Sequence, residues 1–375
     1  MTGFVPPPYP YERLDALARL ADSLPGGIVD CSIGTPCDPV PEVAREAAAD
    51  ALAASNGYPL SAGSAVLRDA AAAWIRRRFD VAVEGAHVGT CVGTKEFVAS
   101  LPHLLRLRNP ARDTVLYPAV AYPTYEMGAT LAGCRAVPVP LDADWHLDLS
   151  AIADADAERA LVLWVNEPGN PTSSVADREF FASVAAWARA HGVVVASDEC
   201  YVEFAPVAHT ILTAGPAGVL AVHSVSKRSN LAGMRVGFYA GDPDLVTYLV
   251  ETRKHAGLMA PTAVQAAAAA ALADDAHVDA QRARYAERRA LLQTALGEHM
   301  LVHDGGDASF YLWLRSTDGA DDGWEIAARL AQHAGLLVAP GDLYGAAGAD
   351  HVRLALVQPR DRLELALDRM ARSLA

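Results

Sequence analysis

Lys227 lies in the stretch Ser224-Val225-Ser226-Lys227-Arg228-Ser229-Asn230, after the apolar, β-prone run 219–222 and before Leu231-Ala232-Gly233-Met234-Arg235-Val236-Gly237. This pattern puts its amine on a loop leaving a strand, where open α/β sheets gather their chemistry. Only Lys95, Lys227 and Lys254 occur among 31 basic residues, so arginine carries the surface charge. Lysine can lose its proton and attack a carbonyl, which arginine cannot. An isolated lysine more often serves as surface charge, and the neighbours decide. Two further apolar runs end in reactive side chains: 193–196 leads into Ser197-Asp198-Glu199-Cys200-Tyr201, and 161–165 into Asn166-Glu167-Pro168-Gly169-Asn170-Pro171-Thr172. The strand ends are expected to present Asn170, Asp198 and Lys227 together.

If Lys227 forms a Schiff base with an aldehyde cofactor such as pyridoxal 5'-phosphate, four other parts are needed. They are an anion site, a carboxylate for the pyridine nitrogen, a donor to the phenolic oxygen and an aromatic stacking partner. Asp198 can hold the pyridine nitrogen protonated, although most aspartates at strand ends are turn or cap residues. Asn170 and Tyr201 can donate to the phenolic oxygen; read blandly, one is turn chemistry and the other packing. Tyr122 can stack. Ser224 and Arg235 flank the lysine, and the segment Gly93-Thr94-Lys95 opens a helix whose first N–H groups, at Thr94 and Lys95, attract an anion. Each signal alone is weak; together they describe one cofactor site.

The elements that must position these groups alternate in period. Helices are expected over 11–24, 41–55, 67–79, 122–132 and 180–191, and strands over 114–117, 136–139, 161–165, 193–196, 219–222 and 236–240. In the helix over 67–79, Leu67, Ala70, Ala71, Trp74 and Ile75 share one face. Such alternation predicts an α/β fold with a mostly parallel central sheet sandwiched by helices. Beyond Asp274 a long charged helix (277–297) is expected to link to a smaller α+β domain. Its strands are expected at 309–314, 336–338 and 351–356 and its helices at 324–334 and 360–374. The domain boundaries expected are 42–275 for the large cofactor-binding domain, with 1–41 and 276–375 forming the small domain and an N-terminal arm.

Composition narrows the partners. A 375-residue chain that is 52% hydrophobic can bury a large core, and a formal net charge of −14 argues against nucleic acid and anionic membranes. Cys31, Cys37, Cys91, Cys134 and Cys200 form no C-x-x-C pair, which fits reduced thiols in a cytoplasmic protein and no metal site. The proline-rich start shows no secretory leader. The alanine run 263–273 is too short to span a bilayer.

The run Ser-Val-Ser-Lys followed by Ala-Gly-Met-Arg-Val-Gly, the Asp198-Glu199-Cys200-Tyr201 step, the segment 166–172 and Arg353-Leu354-Ala355 resemble the class I/II aminotransferases of pyridoxal-phosphate fold type I. The resemblance covers nearly the whole chain in order. It implies that Lys227 carries the cofactor, that Asp198 pairs with its pyridine nitrogen, and that Tyr201 and Asn170 contact its phenolic oxygen. It further implies that Ser224, Ser226, Arg235, Thr94 and Lys95 surround the phosphate and that Tyr122 stacks. Tyr58 would reach the phosphate of a neighbouring subunit, which makes the expected assembly a homodimer with a shared active site. Arg353 would clamp the substrate carboxylate, helped by Asn170 and the Gly34 backbone. One departure is Ser173, where the family usually has Gly, which bears on the local turn geometry. The stretches 28–41 and 58–63 are similar to N-succinyldiaminopimelate aminotransferases of actinobacteria. That similarity implies amino transfer to or from 2-oxo acids in lysine and diaminopimelate synthesis, with glutamate as donor. The alternatives are an aminotransferase of aspartate, aromatic or methionine type, a C–S lyase on the same fold, and a non-catalytic cofactor-binding regulator. The regulator is disfavoured because only a proline-rich arm precedes the family match.

Overall fold

A computed structural model describes residues 3–54 and 57–373. Met1, Thr2, Ser55, Asn56, Leu374 and Ala375, at the edges of the expected arm and of two expected helices, lie outside the described residues. The chain divides into two compact units: Thr35–Tyr285 with Gly306–Ser309, and Met1–Gly34 with Ala286–Gly305 and Phe310–Ala375. The larger unit therefore takes in residues 35–41 and 276–285 as well as 42–275. The helix Ala276–Glu298 gives its first part to the larger unit and the rest to the smaller.

The larger unit is built on seven strands: β1 (Val88–Cys91), β2 (Thr114–Pro118), β3 (Arg135–Val139), β4 (Ala160–Asn166), β5 (Val194–Asp198), β6 (Val219–Ser224) and β7 (Gly237–Gly241). Their order across the sheet is β1-β7-β6-β5-β4-β2-β3, and β7 alone runs antiparallel to its neighbours. Helices cover both faces: α1 (Glu42–Ala54), α2 (Ala65–Phe79), α3 (Thr94–Arg108), α4 (Thr124–Leu131), α5 (Arg178–His191), α6 (Pro243–His255) and α7 (Thr262–Ala273). Strand side chains alternate between two cores. Leu163 and Val165 of β4, with Val219 and Ala221 of β6, pack toward α1, α2, α5 and α7. Val162, Trp164, Leu220 and Val222 pack toward α3, α4 and α6.

Local chemistry sets the helix ends. Ser64 caps α2 by accepting the Leu67 N–H, and Asp177 caps α5 by accepting the Phe180 N–H. Gly192 closes α5 in the left-handed region at φ +63°. On α2, Leu67, Ala71, Trp74 and Ile75 are all buried, the face its periodicity predicts.

The smaller unit carries an antiparallel sheet of Ala339–Pro340, His351–Ala355, Tyr311–Ser316 and Leu301–His303 in that order. Two strand expectations shift. The strand expected from Ser309 begins at Tyr311, and Ser309 holds φ +59°, a left-handed residue that interrupts an extended run. The single strand expected over 336–338 is two pieces: Leu336–Leu337 pairs parallel with Val29–Asp30, and Ala339–Pro340 pairs antiparallel with the strand holding Arg353. The helix Gly323–Ala334 starts on a full capping box between Asp322 and Glu325.

Candidate active site

Three neighbouring parallel strands, β4, β5 and β6, end at Asn166, Asp198 and Ser224 on one edge of the sheet. Because β7 runs the other way, it is its start that reaches this edge: Gly237 pairs with Ser224 on one side and Cys91 on the other. Arg235, two residues earlier, is thereby delivered next to the start of α3. The Lys227 turn, Asp198, Asn170, Tyr201, Arg235 and Thr94 therefore gather at one end of the larger unit.

Lys227 is half-buried in the short helical turn Val225–Arg228, whose first N–H groups are capped by Ser224: its Oγ accepts the Ser226 N–H at 3.0 Å. Ser224 and Ser226 are buried. The next residue, Arg228, is pinned in the core by Glu203 Oε1 (3.1 Å) and the Ala271 carbonyl (2.6 Å), which fixes the turn from behind. Lys254, in contrast, is an exposed helix residue paired with Glu251.

Asp198 is only 7% exposed. Its Oδ2 accepts the Tyr125 hydroxyl at 2.9 Å and its Oδ1 accepts the Cys200 N–H at 3.2 Å. Burial raises the carboxyl pKa above the usual aspartate value, opposed by hydrogen bonds from Cys200 and Tyr125 and by the charge of Lys227. The Cys200 thiol, which lies 3.4 Å from Thr94 Oγ1, is pushed well above its normal range by burial and by Asp198, so it stays a thiol. Tyr201 is buried in the turn that follows.

Asn166 ties β4 to β5. Its Nδ2 donates to the Asp198 carbonyl at 3.0 Å and its Oδ1 accepts the Asn170 N–H at 2.9 Å. Glu167–Pro168 and Asn170–Pro171 are cis. Ser173 adopts φ +59°, the left-handed backbone that glycine would take there without penalty. Its N–H donates to the Gly169 carbonyl (2.9 Å) and its hydroxyl pairs with Ser309 (2.6 Å), so the turn keeps its shape with serine in place.

The start of α3 is where the sequence expects an anion to be held. Gly93 holds φ +76°, and a Cβ on it would overlap the Arg235 guanidinium, so the arginine is packed directly on the helix terminus. Arg235 Nη1 is held by the Ala232 carbonyl at 2.8 Å. Glu96 in the first turn would repel an anion, but buried Arg253 pairs with it at 2.6 and 2.8 Å. Lys95 Nζ lies 5.9 Å from the centre of the half-buried Tyr122 ring. Helix N–H groups, an arginine and serine hydroxyls beside a carboxylate and a lysine are the donor set a phosphorylated pyridine aldehyde requires, so these residues fit pyridoxal phosphate. Tyr58 is 97% exposed.

In the smaller unit, Arg353 is 2% exposed on its strand opposite Trp313. Its guanidinium lies 4.2 Å from the Tyr311 ring centre and 4.9 Å from that of Tyr344, and Nη2 donates to the Ser32 carbonyl at 2.5 Å. Tyr344 is itself held by the Tyr11 hydroxyl at 2.7 Å. Gly34 packs so closely on Tyr311 that a Cβ would overlap the phenol oxygen. Sequence reasoning missed Tyr125, Asn166, the Glu96–Arg253 pair and the tyrosines around Arg353. Tyr125 alone had a legible signal, three residues after Tyr122 at a helix start.

A lysine turn, a buried carboxylate and a helix terminus on the carboxyl edge of a mostly parallel α/β sheet define a pyridoxal-phosphate enzyme of fold type I. Residues 27–370 match the model of aminotransferase class I and II. The chain is 44% identical over 372 residues to a probable aminotransferase of Mycobacterium tuberculosis, covering 97% of this chain and 85% of that protein. It is 42% identical to 4-dedimethylamino-4-oxo-anhydrotetracycline transaminase of Streptomyces rimosus, covering 97% and 99%. The solved structure of a probable N-succinyldiaminopimelate aminotransferase from Thermus thermophilus superimposes with a TM-score of 0.87 at 31% identity, covering 97% and 100%. The chain belongs to the class I and II aminotransferases and is a transaminase dependent on pyridoxal 5'-phosphate.

Proposed function

We propose that this aminotransferase catalyses the reversible amino transfer between N-succinyl-diaminopimelate and 2-oxoglutarate, run with glutamate as amino donor in lysine and diaminopimelate synthesis, as a cytoplasmic homodimer. The likeness to the Thermus thermophilus structure carries this substrate reading, together with the similarity of stretches 28–41 and 58–63.

The bound cofactor supplies an electron sink for the charge left when a substrate α-proton departs. Lys227 would hold it, and its Nζ would take that proton as general base. Asp198 faces the pyridine nitrogen with its negative charge. Asn170 and Tyr201 donate to the phenolic oxygen, and Tyr122 stacks on the ring. Thr94, Lys95, Ser224, Ser226 and Arg235 hold the phosphate, joined by Tyr58 of a second copy. Arg353 binds the substrate α-carboxylate as a bidentate donor, with Gly34 and Asn170 completing that contact. The stacked tyrosines hold the Arg353 guanidinium plane in one orientation, which lowers the entropy lost on binding.

A second substrate reading rests on the higher identity to the Streptomyces rimosus enzyme: amino transfer to a ring ketone. Assaying the purified enzyme with N-succinyl-diaminopimelate and 2-oxoglutarate, aspartate, aromatic and methionine donors, and cyclic ketone acceptors separates the readings. The proposal expects the succinylated substrate to give the highest kcat/KM. A higher value for another pair, or pyruvate and ammonia from cystathionine without amino transfer, contradicts it.

A further inference from the structure

Asp198 must keep a negative charge inside a buried pocket to serve the role proposed for it, and burial works against that charge. The Cys200 N–H on Oδ1 comes from its own turn, two residues on. The donor on Oδ2 comes from elsewhere: Tyr125, 73 residues earlier, in the first turn of α4.

Tyr125 is built for this contact. Its ring is fully buried, 5.1 Å from Trp164 and edge-on to Tyr122 at 6.3 Å. Burial and Asp198 push its hydroxyl well above the normal tyrosine range, so it remains a donor at any working pH. Tyr122 lies two residues before α4 and Tyr125 in its first turn, so the start of α4 places the ring expected to stack on the cofactor beside the hydroxyl that meets the carboxylate.

We propose that Tyr125 is a positioning residue for Asp198: its buried hydroxyl fixes Oδ2 in direction and keeps the carboxylate charged where the cofactor's pyridine nitrogen is bound. This rests on the cofactor site described above. The contact takes one of the four lone-pair directions of the carboxylate, and Cys200 binds it with both its N–H and its thiol. One direction is left for the pocket, so the pyridine nitrogen meets a carboxylate that is already oriented.

The titratable groups around Asp198 are Tyr125, Cys200 and Lys227, with Cys91 and Glu199 further off. Of these, Tyr125 can be altered by removing one oxygen. The test is the equilibrium Kd of the full-length chain for pyridoxal 5'-phosphate, followed by tryptophan fluorescence from acid to neutral pH. Four proteins are compared: wild type, Asp198→Asn, Tyr125→Phe, and the chain carrying 3-fluorotyrosine at 125. Tyr125→Phe is expected to raise Kd about tenfold at neutral pH and to move the acid limb of binding to higher pH, because the carboxyl then takes its proton more readily. The more acidic fluorophenol is a better donor and is expected to move the limb to lower pH. A packing role for the ring would not give shifts of opposite sign. If Asp198→Asn binds like wild type, the role given to Asp198 fails and the proposal with it. If Asp198→Asn is weakened while both Tyr125 variants keep the wild-type Kd and limb, the Tyr125 assignment alone is overturned.

Discussion

Asp198 and Glu199 are adjacent carboxylates sent to different environments. Asp198 is at the site edge, while Glu199 turns toward His223, which packs on Trp74 and Phe79. Glu199 Oε1 accepts the Ile211 N–H at 2.9 Å, and Oε2 lies 3.5 Å from His223 Nε2. Burial pushes Glu199 up to about 8 and His223 down to about 3, which leaves both groups neutral near pH 7. For Glu199 the folded pKa is above the unfolded one. Its contribution to stability is therefore full below the unfolded value and is lost as pH rises through about 8. Glu199→Gln keeps the acceptor and copies the protonated acid. Chemical denaturation of the variant is expected to lose less stability than wild type between about pH 5 and about pH 8, by on the order of 3 kcal/mol. Equal losses would mean Glu199 is ionised in the core.

At the scale of elements, the site depends on one reversed strand. β7 brings Arg235 to the edge where β1 opens into α3, and the packing there leaves no room for a side chain at Gly93. Gly93→Ala meets both the guanidinium and a positive φ, a strain of about 1–3 kcal/mol. We expect cofactor affinity to fall at least about tenfold with the fold retained by circular dichroism. Unchanged affinity would show that the cradle does not hold the phosphate. The strands leading to Asn170, Asp198 and Lys227 were legible because each is an apolar run followed by polar groups, a pattern local to one segment. The contacts of Asn166 with Asp198, Arg253 with Glu96 and Tyr311 with Arg353 act across tens to hundreds of residues and leave no periodic trace. The split of 336–340 into two pieces also escaped, because a change of pairing partner does not alter hydrophobicity.

For the whole molecule, Tyr58 is the exposed residue whose expected role needs a second copy. Val40, Val43, Leu52, Leu60 and Val66 are also exposed around it in sequence. Sedimentation is expected to give a mass of two chains. Tyr58→Phe is expected to keep that mass while raising the cofactor Kd by about three- to tenfold. A monomer with full cofactor affinity would contradict the shared site.

The most direct test of the central claim uses the scarcity of lysine. Holoenzyme is reduced with borohydride and digested, and the pyridoxyl group is located by mass spectrometry among Lys95, Lys227 and Lys254. The account predicts the label on Lys227 alone. A label on Lys95 or Lys254, with Lys227 unmodified, would contradict it.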